Sequence, residues 1–154
     1  MTTRDAQRLT GIHPALVMAV REVFDDVMEK QGYPMFVVQG LRTTPEQAAL
    51  YRLGRQIAGP NVRPGHSLGD IVTWKDGILY RSNHQVQADG YGHAVDCAFL
   101  PIRQRPNPFD PAWPWEIYGQ AFEQRGMAWG ARFLGLGDLD HVELRGEPPP
   151  AAAV

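Results

Sequence analysis

The sequence holds one cysteine, Cys97, which excludes an intramolecular disulfide. Cys97 lies in the apolar run over residues 94–100 and reads as a small buried hydrophobe, not a reactive thiol. Positive charge is not in excess. Fifteen Lys and Arg against 17 Asp and Glu leave a net charge of -2, too little basic field to gather nucleic acid, although Arg52, Arg55 and Arg63 fall close together. No apolar run is long enough to span a membrane. Residues 1–10 are polar and lack the hydrophobic stretch of a signal peptide. What remains is a chain of 154 residues, 44% hydrophobic and 21% charged, enough for one domain with a core of its own.

Local patterning divides that domain. Residues 1–12 read as a polar lead-in. From Pro14, apolar residues recur at helical spacing through Leu16, Val17, Val20, Val23, Phe24, Val27 and Met28, predicting a helix to about Gln31 with Gly32 just past its end. Residues 35–38 are short, apolar and β-prone. A second helix is expected to start at Thr44, with Thr44 as cap, Pro45 in the first helical position and Gln47 completing a capping box. Residues 56–70, rich in Gly and Pro, predict a long loop. A short strand at 71–74 and a turn at 75–77 follow. Residues 94–100 form a strong strand candidate, a helix follows from about Ala112 or Trp115 to Gln124, stopped by Gly126, and residues 141–144 form a last strand. The Pro- and Ala-rich residues 147–154 read as a disordered tail after a domain of residues 1–146. The interspersed elements predict an α+β fold, a small, mostly antiparallel sheet packed by helices. Trp113, Trp115 and Trp129 are assigned to packing, unless one lines a groove.

Two clusters carry chemistry: Ser82-Asn83-His84 with Gly92-His93-Ala94-Val95-Asp96, and Asp138-Leu139-Asp140-His141-Val142-Glu143. Catalytic zinc takes three ligands from His, Asp and Glu and keeps a position for water, whose pKa it lowers to about 7. A carboxylate nearby can serve as general base. Strand parity sorts the candidates. In an extended segment His93 and Asp96 point to opposite faces, so His84 is the better partner for Asp96. Asp96 shares its face with Ala94 and Ala98, which leave room above the sheet. His141 and Glu143 also share a face, so Glu143 can orient His141. His13, beside Pro14, reads as a helix entry, and His66 as a loop residue.

These residues resemble the VanY/VanX-type D,D-peptidases and, more closely, the phage L-alanyl-D-glutamate endopeptidases used as endolysins. The pattern Ser-x-His…Gly-x-Ala-x-Asp is met by Ser82, His84, Gly92, Ala94 and Asp96. The later carboxylate-x-x-His is met by Asp138 and His141. Upstream, Gly40-Leu41-Arg42-Thr43 leads into Glu46-Gln47-Ala48-Ala49-Leu50-Tyr51, as a Gly-x-Arg segment leads into a Gln-x-x-Leu-Tyr helix in the family. The resemblance covers roughly residues 9–145. It implies a hedgehog/D-Ala-D-Ala-peptidase-like fold, Zn2+ on His84, Asp96 and His141, Asp138 as the catalytic carboxylate, and Arg42 binding substrate and steadying the oxyanion. A structural ion pair is the other reading of Arg42. Ser82 either bonds near the metal or substrate or holds a turn, and Asp140 competes with Asp138 as base. The family has two residues between the first His and the Gly, and here residues 85–91 make seven. They are expected to bulge beside the site, which also leaves His93 as an alternative ligand.

The implied activity is zinc-dependent hydrolysis of the L-Ala–D-Glu bond of the peptidoglycan stem peptide. A D-Ala-D-Ala carboxypeptidase or dipeptidase, or a non-catalytic zinc-containing cell-wall binding module, are the alternatives. Without a signal peptide, an endolysin is expected to stay in the host bacterial cytoplasm until the membrane is permeabilised and then act on the wall. Expected partners are the stem peptide alone, with no nucleic acid, no stable membrane insertion and a monomeric state.

Overall fold

The computed structural model describes residues 1–53, 73–134 and 137–146. The predicted loop at 56–70, His66, Arg55, Arg63, Ile71, Val72 and the tail at 147–154 lie outside the described residues.

The expected α+β architecture is present. A four-stranded sheet of order β1-β2-β4-β3 is made from β1 (Met35–Gln39), β2 (Ala94–Phe99), β3 (Met127–Trp129) and β4 (His141–Leu144). Every neighbouring pair is antiparallel. Its helices are α1 (Thr3–Arg8), α2 (Pro14–Glu22), α3 (Thr44–Arg52) and α4 (Trp115–Glu123).

The helix predicted from Pro14 is continuous to Gln31, passing from α2 into a π-helical stretch at Val23–Met28 and a 3-10 turn at Glu29–Gln31. His13 starts it, its Nδ1 accepting from the Ala15 N–H at 3.2 Å. Gly32 ends it in the left-handed region, φ 81°, which glycine adopts without a side-chain penalty. The apolar stripe of this helix packs with α4 against one face of the sheet. Leu16, Val20, Val23, Met28, Tyr118 and Phe122 meet Val37, Val95, Cys97, Phe99 and Val142, all fully buried. Phe99 stacks on Trp113 at 4.9 Å between ring centroids and meets Trp115 edge-on. Trp113, Trp115 and Trp129 are all core residues. Cys97 is buried too, and burial pushes its thiol up, which keeps it unreactive.

Three expectations change, and one strand is added. Residues 1–12 are not a plain lead-in. They contain α1, capped reciprocally by Thr2 and Asp5, a short carboxylate standing where a capping box usually has Glu or Gln. The cap of α3 is Thr43, paired with Glu46, one residue earlier than expected. This puts Thr44 at the first helical position and turns Gln47 wholly inward. Thr73 and Trp74 form no strand. Strand β3, three residues long, gives too brief a pattern to be read from sequence.

Candidate metal centre and cleft

The register of the sheet assembles the site on the face opposite the core. Asp96 of β2 stands directly across from His141 of β4, and Ala94 across from Glu143. Directly paired residues on antiparallel strands share a face. On the other side of β2, an irregularity between Val37 and Gln39 brings Gln39 opposite Asp96. Bulges of this kind re-aim a side chain beside a site. Gln39, Asp96 and His141 thus form one row across three strands.

His84 enters from the loop before β2. Ser82 shapes that turn, its Oγ accepting from the His84 N–H at 3.3 Å. The imidazole is fully buried. His84 Nδ1 lies 2.8 Å from the Gly40 carbonyl, which can only accept, so this nitrogen carries the proton. His141 Nε2 lies 2.9 Å from Glu143 Oε2, which assigns its proton in the same way. In the neutral form of each ring the remaining nitrogen is an acceptor. These two nitrogens and one carboxylate oxygen converge: His84 Nε2 to Asp96 Oδ1 is 3.1 Å, His141 Nδ1 to Asp96 Oδ1 3.0 Å, and His84 Nε2 to His141 Nδ1 3.2 Å. Three such atoms this close need positive charge among them, either a shared proton or a metal ion. Tetrahedral zinc with ligand bonds of about 2.0–2.1 Å would hold its ligand atoms about 3.3 Å apart, so the donor set fits a divalent cation in type, number and spacing.

The electrostatics show how strongly the trio draws positive charge, whether a proton or a metal ion. Burial works against a charged His141, but the bonds to Asp96 and Glu143 outweigh it and push the imidazole up to about 10. Burial likewise opposes the Asp96 carboxylate, yet its bonds to His141 and His84 hold it well below the usual carboxylate range. The trio therefore favours an anionic oxygen beside a cation.

Around this centre lies a cleft of about 550 Å³, lined by Arg42, Ser82, Asn83, Asp138 and Glu143 among others. Arg42 follows β1. Its Nε and Nη2 donate to Gln39 Oε1 at 3.2 and 2.5 Å, and its Nη1 donates to Gln47 Oε1 at 2.7 Å. Asp96 Oδ2 lies 3.6 Å from Nη2. The guanidinium is thus pinned by two glutamine oxygens and paired only loosely with Asp96, so it keeps donors for a ligand. Asp138 is exposed at the cleft, its backbone N–H bonded to the Gly130 carbonyl at 3.1 Å. Asp140 is not among the residues that line the cleft. Burial, with the hydrogen bond and charge of Asp138, pushes the Asp140 carboxyl well above the usual carboxylate range, which favours a proton shared between the two side chains.

Of the residues singled out from sequence, the structure brings together His84, Asp96, His141, Arg42, Asp138, Ser82 and Glu143. It leaves His93 apart. That ring pairs with Asp89 at 2.8 Å and packs edge-on against His13. Residues 85–91 close on themselves, with Gln87 N–H bonded to the Tyr91 carbonyl at 2.8 Å, and none of them lines the cleft. Sequence reading missed Gln39, Gln47 and Asn83, and the cleft walls Trp74, Lys75 and Phe133. Asn83 bonds to Glu143 and helps hold that carboxyl low, against its burial.

Residues 79–144 match a family model described as D-alanyl-D-alanine carboxypeptidase. The match contains both chemical clusters and leaves Arg42 outside it. The fold is similar to the crystal structure of the Serratia marcescens L-Ala D-Glu endopeptidase ChiX, with a TM-score of 0.55 and 24% sequence identity over 94% of this chain and 89% of that one.

Proposed function

We propose that this chain is a VanY-like, zinc-dependent peptidoglycan endopeptidase that hydrolyses the L-Ala–D-Glu bond of the stem peptide and works as an endolysin. The observation that carries the reading is the convergence of two imidazole nitrogens and a carboxylate oxygen beside a cleft that also presents Asp138 and Arg42.

His84, Asp96 and His141 would hold the metal. When bound, zinc supplies a lowered pKa for an attacking water and polarisation of the scissile carbonyl. Asp138 takes the proton of that water and returns it to the leaving amine, beside an Asp140 carboxyl whose raised pKa favours a proton shared between the two side chains. Arg42 donates to the substrate oxygen on which negative charge develops. Because Gln39 and Gln47 fix the guanidinium beforehand, little reorganisation is needed as the reaction proceeds. Ser82 holds the turn that presents His84, and Glu143 fixes the His141 ring. Among the described residues no helix is long and apolar enough to cross a membrane. The proposed setting is the wall, reached as a monomer from the host cytoplasm once the membrane is permeabilised.

A second reading keeps every one of these roles and moves the cut to a D-Ala-D-Ala bond, as the description of the matching family model favours. The similarity to an L-Ala D-Glu endopeptidase across 94% of this chain supports the first. The test is direct. Wild type and Asp138→Ala are assayed for bound zinc and incubated with purified peptidoglycan, and the fragments are identified by mass spectrometry. The expected result is zinc in both and new L-Ala and D-Glu termini from wild type only, with activity reduced by at least about a hundredfold in the variant. Release of terminal D-Ala would favour the second reading. Zinc without cleavage would favour a binding module, and a wild type that takes up no metal would overturn the mechanism.

A further inference from the structure

Lys75 is an exposed wall of the cleft, and its ammonium has no ion-pair partner among the described residues. Every other charged group lining the cleft among the described residues is engaged. Asp96 serves both imidazoles, Glu143 serves His141 and Asn83, Asp138 serves Asp140, and Arg42 is held by Gln39 and Gln47.

The backbone that carries Lys75 is built as firmly as the catalytic wall, and by the same residue. Gln47, wholly buried on α3, accepts from Arg42 with Oε1 and donates with Nε2 to the Lys75 carbonyl at 2.7 Å. The Lys75 N–H donates to Thr73 Oγ1 at 3.1 Å. Two residues on, Gly77 packs so closely on Gln47 that a β-carbon would lie 2.9 Å from its Cγ, and the Gly77 carbonyl accepts from the buried Gln85 side chain at 3.0 Å. The Asp76 carboxylate takes the N–H groups of Ile78 and Tyr80. One buried glutamine thereby holds both the Arg42 guanidinium and the Lys75 backbone, the two Arg and Lys residues that line the cleft among the described residues.

We propose that Lys75 is a specificity-determining residue that takes the free α-carboxylate of the residue following the scissile bond. The inference rests on the peptidase reading above. In a stem peptide that continues through the side-chain carboxyl of D-Glu, the α-carboxylate of that residue is left free next to the scissile nitrogen. An unpaired ammonium in the cleft wall matches that charge. Replacing this carboxylate by a primary amide keeps its shape and removes its charge, so the pair of substrates isolates the contact.

The experiment uses two synthetic stem peptides that differ only in a free or amidated D-Glu α-carboxyl. Wild-type kcat and KM are measured for both, and Kd for both is measured by calorimetry on zinc-loaded Asp138→Ala protein. The free acid is expected to show about tenfold lower KM and Kd than the amide, with a preference that shrinks in high salt. In Lys75→Met the preference collapses to within about twofold, and in Lys75→Arg it is kept. A wild type that cuts and binds both peptides equally, or a Lys75→Met protein that keeps the preference, would overturn the assignment. A protein that distinguishes the two peptides in binding through Lys75 but cuts neither would overturn hydrolysis and sustain the Lys75 contact. Neither binding nor cleavage would overturn both.

Discussion

Glu143 lines the cleft, yet its partners are His141 Nε2 at 2.9 Å and the Asn83 side chain. Its work is to keep a proton on the outer nitrogen of the ring, so that the inner nitrogen faces Asp96 and His84. Such partners typically tune metal affinity by 10–100-fold. Glu143→Ala is therefore expected to weaken zinc binding by about that factor, measured by competition with a chromogenic chelator. Glu143→Gln, whose amide oxygen can still accept from His141, should lose less. Equal affinity in all three proteins would show that the ring needs no such partner. The three converging donors were legible from the sequence because strand parity favoured His84 over His93 as the partner of Asp96 and the family pattern named His84, Asp96 and His141 together; the register that sets Asp96 across from His141 is visible only in the fold. Gln47 was not legible. A glutamine in the first turn of a helix reads as a solvent-facing capping residue, and only the shift of the cap to Thr43 turns it inward. Gln39 was hidden by the irregularity in β1, since unbroken pairing would set Val38 opposite Asp96.

Elements whose patterns are long or punctuated were readable: the helical run from Pro14 to Gln31 between His13 and Gly32, strand β2, and β4 to its end residues. Three-residue β3 was not, although it carries a strut of the site. The indole of Trp129 donates to the Leu139 carbonyl at 2.8 Å, between Asp138 and Asp140. The same indole packs against Gly119 of α4, so close that a β-carbon there would overlap the ring. Alanine is worth roughly 1 kcal/mol more than glycine in a helix interior, but overpacking a filled core costs about 1–3 kcal/mol. The clash should win. Gly119→Ala is expected to lower stability by about 1–2 kcal/mol in a denaturant titration. Because the displaced indole holds the segment bearing Asp138, peptidase activity should fall further than the unfolded fraction explains. A variant more stable than wild type would show that Trp129 can move aside freely.

At the scale of the whole molecule, the sheet is covered by the core on one face and builds the site on the other, and its β1 edge must not be left open. Exposed edges invite pairing with other chains. Here α1 closes that edge. Asp5 Oδ1 accepts from the Val37 N–H at 2.8 Å, and the Arg8 guanidinium donates to the Val37 carbonyl. This role was invisible in a polar stretch of sequence, because it depends on which strand ends up outermost. Burial alone would raise the Asp5 pKa. Hydrogen bonds from the Thr2 hydroxyl and from the Val37 and Thr2 N–H groups outweigh it, so the carboxylate sits below its ordinary value of 3.8. A depressed pKa in the folded state means stability that is present above the unfolded value and lost as pH falls through the folded one. Asp5→Asn imitates the protonated form. It is expected to cost about 1.5–3 kcal/mol at pH 7, the worth of hydrogen bonds to a charged group. The gap from wild type should begin to shrink as the pH drops below about 4, where the unfolded chain takes up the proton that the folded Asp5 still resists. Paired urea titrations from pH 7 to pH 3 measure it. A penalty that stays constant across that range would mean the shape of the side chain, not its charge, holds α1 against the sheet.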